Sequence, residues 1–343
     1  MSLTPIPGVT KLKAFQLGKE TTFSTQVAAT RRFGWRATPT IDEHITDPAA
    51  DTGTLDPAIK PYRLATDYTA QTVGELYAND APYLWSALIK AGVTPSTVCL
   101  TGKQWDYLPA STSQDNWETF TAEFYDDATA DAFTFTGGVL DSLQLTFPQG
   151  TLAPIQATGN WRFAAAAAFP STPTAGLTVD AAPTPFYAAD TELFIDSTAG
   201  GIGGTKITNA MYDAAVNISN NIDVKRFANG NSTRFQAANY GRGARLMETT
   251  FTFAKTTAAL AEVANWLNAN PVERFISLRT TSLAFAGLGQ PYLQDIRFGG
   301  YWFTRTPQDV NTNTAEQLVC HQIYDATLTY PFKVSVVNTL ASL

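Results

Sequence analysis

At 343 residues, 44% apolar and only 15% charged, the chain is globular and long enough for two domains or one large β architecture. A net charge of −7 excludes the basic stripe with which nucleic-acid binders neutralise phosphates, although an acidic protein can still meet DNA that it does not hold. So low a charge fraction also suits a surface covered in large part by partner subunits.

The N-terminal MSLTPIPGVTKLKAF has no basic segment followed by an apolar run, so no signal peptide is expected. The longest apolar run, Ala164 to Phe169, is far too short to span a bilayer. The expectation is a protein made in a cytoplasm, without membrane anchoring.

Residues 50 to 56 read ADTGTLD, and Asp51-Thr52-Gly53-Thr54 spells the tetrapeptide that each half of an aspartic protease contributes to its dyad. Such an enzyme needs a second copy, so that two carboxylates share one proton and activate water. The nearest candidate, FIDSTAGG at Asp196, lacks glycine at the required place. Asp51 itself follows Pro48-Ala49-Ala50 rather than an apolar strand. Asp51 and Gly53 are therefore expected to shape a loop.

From Tyr68 the sequence alternates until Asn79-Asp80-Ala81-Pro82, where a helical pattern begins. Asn79 or Asp80 can cap it and Pro82 suits its first turn. Leu84, Ala87, Leu88 and Ala91 predict one buried face, and Gly92 and Pro95 end the helix. Asp126, Asp127 and Asp131 lack the alternate spacing of a calcium loop and suit a solvated hairpin tip.

The same order returns in the second half. A strand from Met247 leads to Lys255, Thr256 or Thr257 can cap a helix, and Leu260, Val263, Ala264 and Leu267 repeat the face. Two further echoes are Gly137-Gly138 with Gly299-Gly300, and Ala157-Thr158 with Ala326-Thr327. The chain thus reads as two domains, 1–168 and 187–343. The Pro-, Ala- and Thr-rich residues 169–186 between them suit an extended linker.

Gly200-Gly201-Ile202-Gly203-Gly204-Thr205-Lys206 fits neither a phosphate loop nor a dinucleotide fingerprint, because Thr205 separates Gly204 from Lys206 and a strand follows. Next, Val216 and Ile218 alternate with Asn217, Ser219 and Asn221. In ARLMETTFTFAK, Met247, Thr249, Phe251 and Phe253 share one face, with Glu248, Thr250 and Thr252 on the other. Both patterns predict a sheet with one wet, polar face.

His44 and His321 are the only histidines, and Cys320-His321 point to opposite faces of a strand, so they cannot share a zinc ion. Cys99 and Cys320 lie among strand-like residues and are expected as buried thiols. Two histidines in these contexts leave no convincing base for a nucleophilic triad. No catalytic, metal or cofactor site is expected, and a doubled β protein without one is suited to assembly.

Taken together, GKETTFSTQVAATRRFGWRATPT, DTGTLDPAIKPYR, LYANDAPYLWSALIKAGVTP and LFIDSTAGGIGGTKITNAMYDAAVNISNNIDVKRF resemble the tail tube proteins of long-tailed, non-contractile bacteriophages. The resemblance covers nearly the whole chain, in the version with two tube domains. It implies a mainly β fold, two tandem β-sandwich or half-barrel domains each flanked by one helix. It further implies stacking as trimeric, pseudo-hexameric rings into a virion conduit for double-stranded DNA. A tape-measure protein and tail-tip or terminator proteins are the implied partners. On this reading Glu248, Thr250, Thr252, Asn217, Ser219 and Asn221 line the lumen, and the Asp51–Gly53 loop and the linker reach a neighbouring subunit or ring. The competing readings are a hydrolase using Asp51 and a carbohydrate-binding β-sandwich, against which the missing signal peptide argues.

Overall fold

Alternation of apolar and polar residues decides most of the architecture. The computed structural model describes residues 13–46, 61–110, 113, 115–126, 132–149, 152–227 and 236–343, and strands dominate it. The first half carries β1 (Ala14–Lys19), β2 (Arg31–Phe33), β3 (Arg36–Thr46), β4 (Tyr62–Glu75), α1 (Ala81–Leu88), β5 (Ser96–Thr97), β6 (Lys103–Tyr107), β7 (Phe120–Tyr125), β8 (Phe133–Phe147), β9 (Gln156–Phe163) and β10 (Ala165–Ala166). The second carries β11 (Thr191–Asp196), β12 (Lys206–Ile207), β13 (Met211–Ser219), β14 (Ile222–Lys225), β15 (Asn239–Arg242), β16 (Leu246–Ala254), α2 (Thr257–Trp266), β17 (Arg274–Gly287), β18 (Gln290–Val310), β19 (Asn313–Ile323) and β20 (Phe332–Asn338).

Pairing is antiparallel throughout, and the two halves follow one scheme. In the first, β3 pairs with β4, β4 with β9, β9 with β8, β8 with β7, β7 with β1 and β1 with β2. In the second, β13, β16, β19, β18, β17, β11 and β12 follow in the same order. The halves then join edge to edge, because β8 pairs with β13 from Ala214 opposite Phe147 to Ser219 opposite Ser142. A continuous run of eight strands results, β3-β4-β9-β8-β13-β16-β19-β18.

The long strands β8 and β18 change partners along their length, and a glycine pair marks each change. A Cβ on Gly138 would lie 2.5 Å from the Phe163 ring, and one on Gly300 would lie 2.4 Å from the His321 carbonyl oxygen. Such approaches admit only glycine. A bulge follows each pair, between Leu140 and Ser142 and between Trp302 and Thr304. The echo of Gly137-Gly138 in Gly299-Gly300 is thus structural. That of Ala157-Thr158 in Ala326-Thr327 is not: the first pair lies in β9, the second in a turn whose amides are held by Asp325. The counterpart of β9 is β19, since Trp161 and Cys320 both oppose the residue just before a bulge.

One buried cluster runs through both halves, from Phe15, Trp85, Phe120 and Trp161 to Phe251, Phe298 and Trp302. Each such aromatic contributes about 2–3 kcal/mol by leaving water. All eight residues of α1 are buried, more than the one face expected, because β8 flanks it on one side and β6 and β20 on others. Asp80 precedes α1 but makes no capping bond with its side chain. It binds Arg31 instead, at 2.7 Å, and burial pushes its carboxyl up to about 6 despite that guanidinium.

In α2, Thr256 caps as expected by accepting from the Ala259 amide. The buried face differs from the expected one. It consists of Ala259, Glu262 and Val263, while Leu260 and Leu267 are 47% and 65% exposed. Glu262 turns inward because Arg274 grips it with two nitrogens, at 2.9 and 2.7 Å, and the Trp302 indole donates to it at 2.8 Å. A bidentate guanidinium and an indole satisfy a carboxylate that would otherwise oppose burial.

Residues 169–186 form no long strand or helix, turn at Ala175–Gly176 and are tied down along the first half. Thr174 donates to Glu123 from its amide and hydroxyl, Ala78 donates to the Thr184 carbonyl, and Phe186 is fully buried. At the inter-half joint, Asn220 donates to the carbonyls of Leu88 and Leu140, and Arg245 donates to Asn220 and to the Ile89 carbonyl. Glu262→Ala is expected to destabilise the chain by about 3 kcal/mol, since it strands Arg274 and the Trp302 indole. Equilibrium urea unfolding checks this.

Candidate functional site

On the eight-stranded run, alternation puts Leu143, Leu145, Val216, Ile218, Met247 and Phe251 inward and their neighbours outward. Registry aligns those outward residues in rows across both halves. One row is Gln71, Asn160, Ser142 and Ser219. The next is Thr158, Gln144, Asn217, Glu248 and His321, and a third runs Gln156, Thr146, Ala215, Thr250 and Val319. The result is a shallow concave surface of hydroxyls and amides, lined in its middle by Gln71, Ser142, Gln144, Thr158, Asn217 and Glu248.

Side chains on this face bond to one another. Asn160 donates to Ser142 at 2.9 Å, and His321 Nε2 lies 3.0 Å from Glu248 Oε2. Arg162, at the border, is neutralised by Asp141 at 2.9 Å. The face therefore offers many neutral donors and acceptors and little positive charge with which to hold a polyanion.

Of the expected lining residues, Asn217, Ser219, Glu248 and Thr250 share this face and are at least partly exposed. Thr252 lies on the same side of β16 but is only 2% exposed. Asn221 sits past the end of β13 at φ 48°, donating to the Ala244 carbonyl, and is a turn residue. Thr252 lies between Asp213 and Gln317 of the flanking strands, and Asn221 lies in a left-handed turn that ends the alternation. The first-half contribution was missed, although Leu143, Leu145 and Phe147 alternate with Ser142, Gln144 and Thr146 as clearly as in β13.

Other singled-out residues have structural roles. The Asp196 carboxylate accepts from the amides of Gly203, Gly204 and Thr205 at 2.9, 3.1 and 2.9 Å, which fixes the glycine-rich loop. A carboxylate so engaged is a loop anchor rather than half of a proton-sharing dyad. Cys320 is buried, and burial pushes its thiol up, whereas Cys99 is only half-buried. Cys320 and His321 do face opposite ways, the first into the core and the second towards Glu248. Asp126 lies 3.9 Å from Lys13. Asp51, Gly53, Asp127 and Asp131 lie outside the described residues. Among the described residues, no helix is long and apolar enough to cross a membrane.

A joined, mainly β chain with a broad polar face and open strand edges suits self-assembly. The family model of the phage tail tube protein matches residues 10–329, nearly the whole chain, and the chain belongs to that family. Its role is accordingly structural, as a self-assembling component of the virion tail tube. No curated protein matches it.

Glu248→Ala is expected to shift unfolding stability by less than about 1 kcal/mol, because the Glu248–His321 pair is solvent-exposed. A larger loss in urea unfolding would mean that the polar face serves the fold rather than an interaction.

Proposed function

We propose that the chain closes into rings, three copies giving pseudo-sixfold symmetry, and that the rings stack into a hollow conduit for double-stranded DNA. Residues 1–168 and 187–343 act as two tandem tube domains, and 169–186 joins them. The observation that carries this reading is the β8–β13 joint. By the shared pairing scheme, β3 is the counterpart of β13 and β18 of β8, and these two are the open ends of the eight-stranded run. Repeating the internal joint between chains pairs β3 of one copy with β18 of the next and removes both edges. Carrying the internal register over sets Thr40 opposite Thr306.

The polar face then lines the lumen. Asn217, Ser219, Glu248 and Thr250, with Gln71, Ser142 and Gln144, let DNA slide, where rows of lysine and arginine would bind one phosphate charge every ~1.7 Å. The chain is made in the host cytoplasm and meets a tape-measure protein and tail-tip or terminator proteins during assembly. Electron microscopy of the purified protein at raised concentration is expected to show rings or hollow rods. Particles that stay monomeric at every concentration would contradict the proposal.

A further inference from the structure

Beyond the shared strand pairing, one difference between the two halves concerns a hairpin. The β14–β15 hairpin extends β13 and β16 and folds over the first half. Ile222 packs with Val139, Ala164 and Tyr240, the Tyr240 hydroxyl donates to the Gly137 carbonyl at 3.0 Å, and the Ala237 amide donates to Ala164. The Ile222 amide also reaches Asp141 at 2.8 Å.

Registry locates the counterparts of these residues. Trp161 opposes Ala70, which opposes Pro39, and Cys320 opposes Thr249, which opposes Val216. Pro39 thus matches Val216, and counting six residues on from each matches Ile45 with Ile222. Their cross-strand partners agree, Arg63 opposite Ile45 and Arg242 opposite Ile222. On the receiving side, the bulges match Val139 with Tyr301, and the β9 and β19 counterparts match Ala164 with Ile323.

The matched pairs have opposite fates. Ile222 is 7% exposed and Ile45 is 58% exposed, with Tyr62 and Leu64 beside it also open. Val139 and Ala164 are buried, while Tyr301 and Ile323 are half-open beside the exposed Phe303 and Tyr324. Phe303 stacks on His321 at 4.1 Å and accepts from the Trp266 indole through its carbonyl, which holds it beside this apolar patch. Exposed apolar side chains at the end of one hairpin, set among paired charges such as Glu43–Arg63, and an apolar receiving face are both open, at the two places where the equivalent contact is closed.

We infer that the outer end of the β3–β4 hairpin, around Ile45, Tyr62 and Leu64, docks on the face formed by Tyr301, Phe303 and Ile323 of a second copy of this chain. The contact must be made in trans. β3 and β18 are seven strand spacings apart, about 33 Å along the sheet, so the hairpin cannot cover its own β18. Docking is head-to-tail and clasps each chain to the next as β14–β15 clasps the two halves. The inference rests on the ring reading above.

Two cysteine variants test it, Ile45→Cys and Ile323→Cys, both carrying Cys99→Ser so that the only other thiol is that of the buried Cys320. Mixed at assembly concentration under mild oxidation, they are expected to give a disulfide-linked dimer that neither forms alone. Self-linking of Ile45→Cys would overturn the head-to-tail contact. Rods in the microscope without the mixed dimer would overturn the hairpin's placement while leaving the tube intact. Absence of both rods and dimer would remove the ring reading itself. As a second measure, Ile45→Asp with Leu64→Asp is expected to weaken self-association at least tenfold and leave the thermal unfolding of the monomer unchanged. Unaltered association would overturn the inference.

Discussion

Backbone pairing between β8 and β13 is the constraint on which the rest depends. Each strand would otherwise be an edge with unpaired amides and carbonyls, open to pairing with any passing strand. Joined, they fuse two half-sheets into one surface and fix its registry residue by residue. The joint is reinforced beneath the sheet, where Asn220 and Arg245 satisfy the carbonyls of Leu88, Leu140 and Ile89. Burial lowers Arg245 to about 10, which leaves it charged at neutral pH and able to bind Asp115. The joint therefore rests on directional polar contacts as well as on the shared core.

The long strands make such a joint possible. β8 and β18 must each serve two sets of partners, and glycine pairs followed by bulges let the backbone change course between them. With both bends in place, the outer faces of eight strands align their threonines, serines, asparagines and glutamines in rows. The same geometry leaves, among the described residues, one edge of β3 and one edge of β18 beyond Gly300 unpaired at the two ends of the run. A chain built this way carries within itself one copy of the contact that its open ends invite.

Much of this was legible in the residues. Alternation in 214–219 and 247–253 placed β13 and β16 and their polar faces, Pro82 and Thr256 marked the helix starts, and the glycine pairs marked the repeat without announcing the bends that they make. The resemblance to tail tube proteins carried the functional class, which the family match supports. What sequence reading lost depended on partners distant in the chain. The α2 face shifted because Glu262 finds Arg274 and Trp302, and a periodicity argument assigns every carboxylate to solvent. Ala326-Thr327 resembled Ala157-Thr158 in letters only, since Asp325 makes a turn there. The β14–β15 hairpin carries too little alternation to announce itself. Thr252 follows the pattern of its strand and is nevertheless buried, which the alternation alone does not encode.

The central claim is that the internal joint is the template for the joint between chains. A near-atomic reconstruction of the assembled form tests it most directly. The account predicts β3 of each copy beside β18 of the next, Thr40 opposite Thr306, with Asn217 and Glu248 facing the lumen. Edges of β3 and β18 left apart, or a polar face turned to the outside of the tube, would contradict it.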